Sequence, residues 1–333
     1  MEGEKSVEEG DRHRAIAFAA AREADRRIAG VAAAARAVHG LAEAGVRETW
    51  LIIGDERPLA PATLADIARL RGASAVHVVA PAGAPPELEK LPPPAMDVTT
   101  ILRGTAKPGD GIVSRHLNRP ISQRITRALL AIPAARPIHA TIASALFAFI
   151  LLWGMLAGGK PGLILGAILF QTASVIDGVD GEMARATFRT SALGATLDSA
   201  VDMMTNFLFL LGLTVHLGRH GPPVVLWAGL WSLAIMVVGG LLVGMRSRAG
   251  GAPLSFDLLK RARHVRGPFD LVFRVMQALT SRDCYAFLFM ILIIAGLAQQ
   301  ALLIGALVGT VWMLYVFATL VLPWASEAFR DTA

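Results

Sequence analysis

Cysteine and charged residues are both scarce in this chain of 333 residues. Cys284 is the only cysteine, which excludes an intrachain disulfide and any metal site that needs several thiolates. Only 17% of the residues are charged, against about a quarter in soluble domains. Hydrophobic residues make up 54% of the chain, and the mean hydropathy is +0.53. Together these values predict a membrane protein.

Aromatic residues are also few, at 7%, so the apolar segments consist chiefly of Leu, Ala, Val and Ile. The formal net charge of +6 has two interpretations. A basic surface binds nucleic acid in some proteins, whereas basic cytoplasmic loops fix the orientation of membrane proteins and attract anionic lipid headgroups. The apolar composition favours the second interpretation, so we expect membrane lipid as a partner and no nucleic acid.

The chain changes character near residue 137. Residues 1–82 alternate between helix-like and strand-like segments of ordinary polarity, including the strand-like ETWLIIG and AVHVVA, and predict a small α/β cytoplasmic unit. The N-terminal AIAFAAA run is too short and too weakly apolar for a signal-peptide core. Residues 83–110 are rich in proline and predict a linker.

Residues 111–333 predict a membrane domain. Its first segment, GIVSRHLNRPISQRITRALLAI, has aliphatic residues at helical spacing between arginines, which is typical of an amphipathic helix on the membrane surface. Six segments of about 20 residues follow, the length that a bilayer requires. They lie near residues 138–157, 161–180, 191–216, 223–245, 283–299 and 301–322. The predicted fold is an all-α membrane protein with six transmembrane helices, preceded by a small degenerate α/β cytoplasmic domain.

Basic residues indicate the orientation of these spans. The loop between the fourth and fifth predicted spans is crowded with them: Arg246, Arg248, Lys260, Arg261, Arg263, Arg266 and Arg274. The loops on the opposite side hold only Lys160 and Arg219. The positive-inside rule therefore places the N-terminus, the Asp-rich turn and the C-terminus in the cytoplasm, and we expect a bacterial inner membrane.

A set of charges lies inside the apolar part of the chain, in the segment DGVDGEMARATFRTSALGATLDSAVD at 177–202. Its aspartates form two pairs at helical spacing, Asp177 with Asp180 and Asp198 with Asp202. Carboxylates at bilayer depth survive only where they pair, bind ions or line a wet cavity. If a short turn brings the pairs together, cations must lie between them. Oxygen ligands without His or Cys favour Mg²⁺, Mn²⁺ or Ca²⁺.

Other residues of the same segment suit a phosphate ligand. Arg185 offers a planar fork of donors, and Gly181 leaves room for a ligand close to the backbone. Gly194, one turn before Asp198, would let the second helix approach its neighbour closely. Metal ions and an arginine at a cytoplasmic membrane face indicate a phosphate-transfer site.

The pattern D-x2-D-G-x2-A-R-x8-G-x3-D-x3-D in this segment resembles the signature of the CDP-alcohol phosphotransferase family. All eight fixed positions match, and the resemblance extends over roughly residues 110–325. It implies an integral-membrane transferase of phospholipid or polar-headgroup biosynthesis. Such an enzyme moves a phosphoalcohol or phosphatidyl group from a CDP-linked donor to an alcohol or lipid acceptor and releases CMP.

The resemblance also implies roles for individual residues. Asp202 is implied as the general base, Mg²⁺ or Mn²⁺ as the cofactor, and a homodimer as the assembly. The implied metal ligands are Asp177, Asp180, Asp198 and Asp202. The implied donor-site residues are Asp177, Gly181, Ala184, Arg185 and Thr141. Thr141 belongs to RPIHAT, which matches the family's Pro-Asn-x-x-Thr start of the first span except for Ile138 at the Asn position.

Within the family, the chain is similar to the branch fused to a cytidylyltransferase, which includes the di-myo-inositol-phosphate-phosphate synthases. IAGVAAAARAVHGLAEAGVRETWLIIG resembles the helix and strand that follow the nucleotide loop of that domain. The loop itself, a G-x-G-T-R-type stretch, is absent from the sequence. The sequence therefore predicts a non-catalytic remnant that the transferase does not need.

Two alternatives remain beside the transferase. Intramembrane acids also occur in cation transporters, and an inactive scaffold would keep the same fold. The basic residues Arg189, Arg246, Arg248 and Arg282 either bind a phosphate of the acceptor or lipid, or only fix the topology.

Overall fold

The computed structural model describes residues 13–88, 90–94, 96–107, 109–219, 221–249 and 281–321. The chain divides into two compact units. The first contains the chain up to Thr105 together with Arg127–Ala134 and Arg185–Phe188, and the second contains the remainder. The basic loop residues Lys260, Arg261, Arg263, Arg266 and Arg274 lie outside the described residues, as do the side chains of Arg246 and Arg248.

A four-stranded parallel sheet forms the centre of the first unit. Its order is β5-β4-β1-β6, with β1 at His13–Phe18, β4 at Glu48–Ile53, β5 at Ala75–Val79 and β6 at Lys90–Leu91. Two short strands, β2 (Arg27–Ile28) and β3 (Val31–Ala32), pair separately in antiparallel fashion. The helices are α1 (Ala21–Ala24), α2 (Ala33–Glu43), α3 (Pro61–Leu70) and α4 (Val98–Gly104).

The sequence pattern correctly indicates an α/β region but does not predict β1. This strand lies in the AIAFAAA region and pairs with β4 on one side and β6 on the other. Ile16 and Phe18 contribute to a buried core with Leu51 and Ile53 of β4. Buried strands of parallel sheets are continuously apolar, so β4 is recognisable, whereas β1 is alanine-rich and has Ile16 as its only β-branched residue.

The segment predicted as a Pro-rich linker, 83–110, contains β6 and α4. Leu91 of β6 lies opposite Ile16 of β1 in the sheet. Asp97 begins α4, and its side chain accepts a hydrogen bond from the Thr100 amide at 3.2 Å. Proline is tolerated beside a short edge strand, so a proline-rich composition is compatible with this pairing.

The second unit is helical. A π-helical turn at Ser114–Asn118 leads into α5, which continues to Leu130. The remaining helices are α6 (Pro137–Ala157), α7 (Gly159–Ala186), α8 (Ala192–Gly218), α9 (Pro223–Ala249), α10 (Arg282–Ile294) and α11 (Ala298–Val321). Among its buried apolar residues, Phe170 of α7 stacks on Phe209 of α8 with ring centroids 3.9 Å apart.

Four helices are long and apolar enough to cross a membrane: Pro137–Ala157, Gly159–Ala186, Ala192–Gly218 and Pro223–Leu242. They coincide with the first four predicted spans, so the prediction of an integral membrane protein is confirmed at this level. The second helix continues beyond the predicted end at residue 180 to Ala186, and therefore carries the first half of the signature.

The described residues do not confirm six spans. Helices α10 and α11 occupy the places of the fifth and sixth predicted spans. However, α10 has 13 residues, fewer than the roughly 20 that a bilayer requires. The apolar part of α11 in the described residues is Ala298–Leu314.

Candidate active site

The signature segment folds as two consecutive helices joined by a short turn. Helix α7 ends at Ala186, and α8 begins at Ala192 after Ser191. The Ser191 hydroxyl accepts a hydrogen bond from the Gly194 amide at 3.0 Å, which caps the N-terminus of α8. This reversal brings the two pairs of aspartates onto neighbouring helices of the second unit.

Three of the four aspartates lie together. Carboxylate oxygens of Asp177, Asp198 and Asp202 are all within 4.8 Å of one another, and each residue is half-buried. We call these three residues the aspartate cluster. Spacings of this size allow one ion to contact several carboxylates, and the oxygen ligands match those preferred by Mg²⁺ and similar hard cations.

The fourth aspartate, Asp180, is buried and lies outside this group of three. Its Oδ2 accepts a hydrogen bond from the Thr141 hydroxyl at 2.6 Å. Thr141 lies in the first turn and a half of α6, so this bond connects α6 to α7. The structure thus places two of the predicted site residues in direct contact.

Arg282 is a basic residue in contact with the aspartate cluster. It is the first residue of α10, and its Nη1 lies 3.0 Å from Oδ1 of Asp177 and also contacts Oδ1 of Asp202. Its Nε and Nη2 atoms are buried and have no hydrogen-bond acceptor among the described residues. Buried donors are ordinarily satisfied, so these two mark a place where a ligand with acceptor oxygens would fit.

The charge of the cluster fits a divalent cation. If all three carboxylates were ionised, they would bring three negative charges, of which Arg282 would compensate one. Clustered carboxylates repel each other unless cations lie between them. A divalent ion held by Asp177, Asp198 and Asp202 would therefore balance the remaining charge.

The residues at the C-terminal end of α7 follow the cluster along the same helix. Gly181, Ala184 and Arg185 are each half-buried. Within the first unit, Nε of Arg185 donates a hydrogen bond to the Thr105 carbonyl at 2.8 Å. Arg185, which the sequence predicts to bind phosphate, is thus held by the chain just after α4.

The structure also contains a second group of charged residues that the sequence does not predict. Glu182 is fully buried and accepts hydrogen bonds at both carboxylate oxygens. Nη1 of Arg119 and the Ser122 hydroxyl donate to Oε1 at 2.8 and 2.6 Å, and the Thr126 hydroxyl donates to Oε2 at 2.7 Å. Arg119 also binds Asp110, with Nε 2.8 Å from Oδ2. We call these five residues the Glu182 network.

The electrostatics of the Glu182 network are those of a satisfied ion pair. Burial alone would raise the pKa of Asp110, but the hydrogen bonds and charge of Arg119 hold this pKa below its ordinary value. Burial likewise opposes the charge of Arg119, yet its bonds to Asp110 and Glu182 raise the pKa of the guanidinium. Both groups therefore stay charged at neutral pH.

Gly178 lets this network form at close range. A Cβ at this position would lie 3.3 Å from Nη1 of Arg119 and 3.3 Å from the Ser122 hydroxyl oxygen. The signal available in the sequence was the polar stripe of Arg119, Ser122 and Thr126 along one face of the amphipathic helix. A stripe of this kind on a surface helix normally indicates contact with solvent or headgroups, so the sequence alone does not predict a buried partner for it.

Gly194 does not serve the predicted close approach. It is exposed, and among the described residues the only atom within 4 Å of an added Cβ is the Ser191 hydroxyl oxygen. A close approach occurs instead at Gly212, where an added Cβ would lie 2.9 Å from Sδ of Met155. Gly212 lies deeper along α8, where α6 packs against it.

Comparison with known proteins adds an independent observation. A family model described as CDP-alcohol phosphatidyltransferase matches residues 136–321. A protein of Aquifex aeolicus named "Bifunctional IPC transferase and DIPP synthase" is 29% identical over 231 residues, which cover 69% of this chain and 47% of that protein.

Two further relatives are more similar over shorter regions. A Rubrobacter xylanophilus protein with the same name is 38% identical over 171 residues, 50% of this chain and 37% of that protein. An "Archaetidylinositol phosphate synthase" of Methanothermobacter thermautotrophicus is 41% identical over 59 residues, 17% of this chain and 30% of that protein. The chain thus covers less than half the length of these curated relatives.

Proposed function

Since the chain belongs to the CDP-alcohol phosphatidyltransferase family, we propose that it transfers a phosphoalcohol or phosphatidyl group from a CDP-linked donor to an alcohol, releasing CMP. The observation that carries this proposal is the aspartate cluster with Arg282 beside it, on two adjacent helices that carry the family signature. Members of the family generally depend on a divalent metal, and three acidic residues at this spacing suit one.

The metal in our proposal is Mg²⁺ or Mn²⁺. Asp177, Asp198 and Asp202 would hold it directly, and Asp180 would contribute from its position beside Thr141. When bound, such an ion neutralises the pyrophosphate of a nucleotide donor. The protein's own contribution is to keep the carboxylates close together despite their mutual repulsion.

We propose that the donor binds along the C-terminal half of α7. Asp177, Gly181, Ala184 and Arg185 succeed one another along this helix, and Thr141 contacts its Asp180. Nε of Arg185 is bonded to Thr105, which orients the guanidinium plane that would meet a phosphate. Gly181 presents no side chain, which supports an approach of the nucleotide to the helix backbone at that position.

Asp202 is the proposed general base. It would accept the proton of the acceptor hydroxyl as the oxygen attacks phosphorus, while the bond from phosphorus to CMP breaks and CMP leaves. Arg282 contacts Oδ1 of Asp202, and this contact would hold the carboxylate in place for that role.

The names of the relatives support a polyol phosphate as one substrate. Inositol phosphate occurs in the name of the archaetidylinositol phosphate synthase. The two buried donors of Arg282 that lack acceptors in the described residues are suited to oxygens of a second phosphate group. We therefore propose that Arg282 binds a phosphate of the acceptor, the alternative being that it only balances the charge of Asp177 and Asp202.

The membrane arrangement completes the proposal. We propose six spans, with α10 and α11 as the last two, in a bacterial inner membrane, and a homodimer as the assembly. The basic loop between the fourth and fifth spans supports a cytoplasmic location of the N-terminus and active site. We propose three parts for the chain: an α/β unit at 1–82, a connecting segment at 83–110 and the membrane domain at 111–333.

A direct experiment is to measure CMP release by the purified protein from CDP-inositol and from CDP-diacylglycerol, each with inositol phosphate as acceptor. We expect CMP with one donor in the presence of Mg²⁺, and none after chelation with EDTA. Asp198→Asn is the matched variant and should release no CMP. Lack of CMP with every donor and acceptor tried would favour a transporter or an inactive scaffold.

A further inference from the structure

The turn after α7 has a backbone conformation that its sequence does not favour. The Arg189 amide donates to the Ala184 carbonyl at 2.8 Å, and the Phe188 amide donates to the Arg185 carbonyl at 3.3 Å. This pair of bonds forms the Schellman motif that ends many helices. Its left-handed residue is usually glycine, but here it is Phe188, with φ at +54°. A bulky residue persists in this conformation only where surrounding contacts enforce it.

The contacts of Phe188 come from the α/β unit. Within the first unit, its ring lies 4.1 Å from the His39 ring, centroid to centroid, and 5.2 Å from Cζ of Arg36. Both residues belong to α2. The aromatic ring and the guanidinium make a cation–π contact, which is stronger when partly desolvated, as it is at buried Arg36.

Two arginines of the same unit bind the backbone of the turn. Arg36 donates to the carbonyls of Ile28 and Ala29 at 2.7 and 2.9 Å and also to the carbonyl of Ala186. Arg69 donates to the carbonyls of Thr187 and Phe188 at 3.1 and 3.0 Å. The last carbonyls of a helix lack partners within the helix, and cations near that end are favourable. These arginines therefore act as an external cap for α7.

The arginines are themselves held in place. Asp66 contacts Arg69 at 3.3 Å. Burial lowers the pKa of Arg36 to about 10, with Asp66 opposing the shift, so the guanidinium remains charged at neutral pH. Gly30 has a positive φ of +79°, and a Cβ there would lie 3.2 Å from the Thr187 methyl carbon. The fit leaves little room for movement of the turn.

We propose that the α/β unit is a positioning domain for the donor site, acting through Arg36, Arg69 and Phe188 on the end of α7 and on Arg185. The proposal rests on the proposed role of Arg185 as a phosphate ligand. Arg185 lies between Ala184 and Ala186 in the capped turn, and its Nε is bonded to the Thr105 carbonyl of the same unit. A unit that lacks a nucleotide loop is thereby retained for a second purpose, contrary to the expectation from sequence that the transferase does not need it.

Phe188→Gly and Arg69→Ala in the full-length protein test this proposal. Phe188→Gly keeps the left-handed turn while removing the ring, so folding is not at risk from the backbone. Arg71→Ala is the matched control, because in the described part of the chain the only side-chain hydrogen bond of Arg71 is to the Ser74 carbonyl of its own loop. CDP in the presence of Mg²⁺ is the probe, titrated by calorimetry, and hydrogen exchange is followed in the peptide covering 184–190.

We expect both variants to weaken CDP binding by about tenfold and to accelerate exchange in 184–190, with kcat for CMP release changed much less. Arg69→Lys should recover part of the affinity, whereas Arg71→Ala should match the wild type. Unchanged exchange in both variants would overturn the proposal, and so would faster exchange with unchanged CDP affinity. If the wild type releases no CMP from any donor, the proposed function fails, while exchange and CDP binding still decide the positioning role.

Discussion

Helix α7 contributes Asp177 to the aspartate cluster and Glu182 to the Glu182 network, and these two groups of charges are built differently. In the Glu182 network, both oxygens of a fully buried carboxylate have donors within 2.8 Å. In the aspartate cluster, two of the three half-buried carboxylates contact Arg282, and two nitrogens of that arginine lack acceptors in the part of the chain that the structure describes.

This difference indicates that the Glu182 network stabilises the fold, whereas the aspartate cluster serves function. A buried charge is tolerated when all its hydrogen bonds are made, and it then fixes the elements that supply the donors. The Glu182 network fixes α5 to α7 in this way. An incompletely satisfied group of like charges contributes little to stability, so its presence at this place favours a ligand-binding role.

The largest effect is expected from breaking the Glu182 network. Glu182→Ala leaves the Arg119 charge buried with Asp110 as its remaining partner, a loss that typically costs about 3–5 kcal/mol. We expect a correspondingly lower thermal midpoint in detergent and loss of activity through unfolding. The thermal midpoints of Glu182→Ala and Asp198→Asn, measured under the same conditions, provide the comparison. If Asp198→Asn is the more destabilised of the two, the claim that the Glu182 network stabilises the fold more than the aspartate cluster is wrong.

The next largest effect concerns the aspartate cluster. Asp202→Asn keeps an oxygen ligand but removes the proton acceptor, so CMP release should fall by a factor of roughly a hundred or more, with the thermal midpoint nearly unchanged. Arg185→Ala should instead weaken CDP binding, because a charge-assisted contact with phosphate is lost. Calorimetry with CDP and the rate of CMP release separate the two. Asp202 is chiefly a metal ligand if its variant loses CDP affinity as badly as Arg185→Ala while retaining its rate.

The smallest effect is a change in acid sensitivity. Because the pKa of Asp110 is lowered in the folded protein, its contribution to stability is present above the ordinary aspartate pKa of about 3.9. This contribution is lost as the pH falls through the lowered value. Asp110→Asn should therefore be less stable than the wild type at pH 7 and approach it at the acidic end. If the thermal midpoints of the wild type and Asp110→Asn differ by the same amount at every pH, protonation of Asp110 is not coupled to folding.

The regular features of the site could be predicted from the sequence because they are local. The spacing of Asp177, Asp198 and Asp202 predicts two helix faces, and the structure brings these three side chains together. Family membership follows from the same segment. The predicted second span, 161–180, ended too early because its length was set by the roughly 20 residues that a bilayer requires, whereas α7 has 28 residues and continues to Ala186.

The features that sequence analysis missed depend on distant partners. Glu182 follows Gly181 directly and resembles a solvated charge, but its donor Arg119 is 63 residues earlier. Arg282 reaches Asp202 across 80 residues, and no periodicity connects them. Such pairs form only when helices pack, so their identity depends on the tertiary structure.

The most direct test of the central claim is a titration with Mn²⁺, followed by electron paramagnetic resonance, on the wild type, Asp198→Asn and the conservative variant Glu182→Gln. We predict that the wild type binds Mn²⁺ and that Asp198→Asn loses most of this affinity. Folded Glu182→Gln should retain it, because Glu182 bonds to donors of α5 rather than to the aspartate cluster. Equal Mn²⁺ affinity in the wild type and Asp198→Asn would contradict the claim that the aspartate cluster is a metal centre.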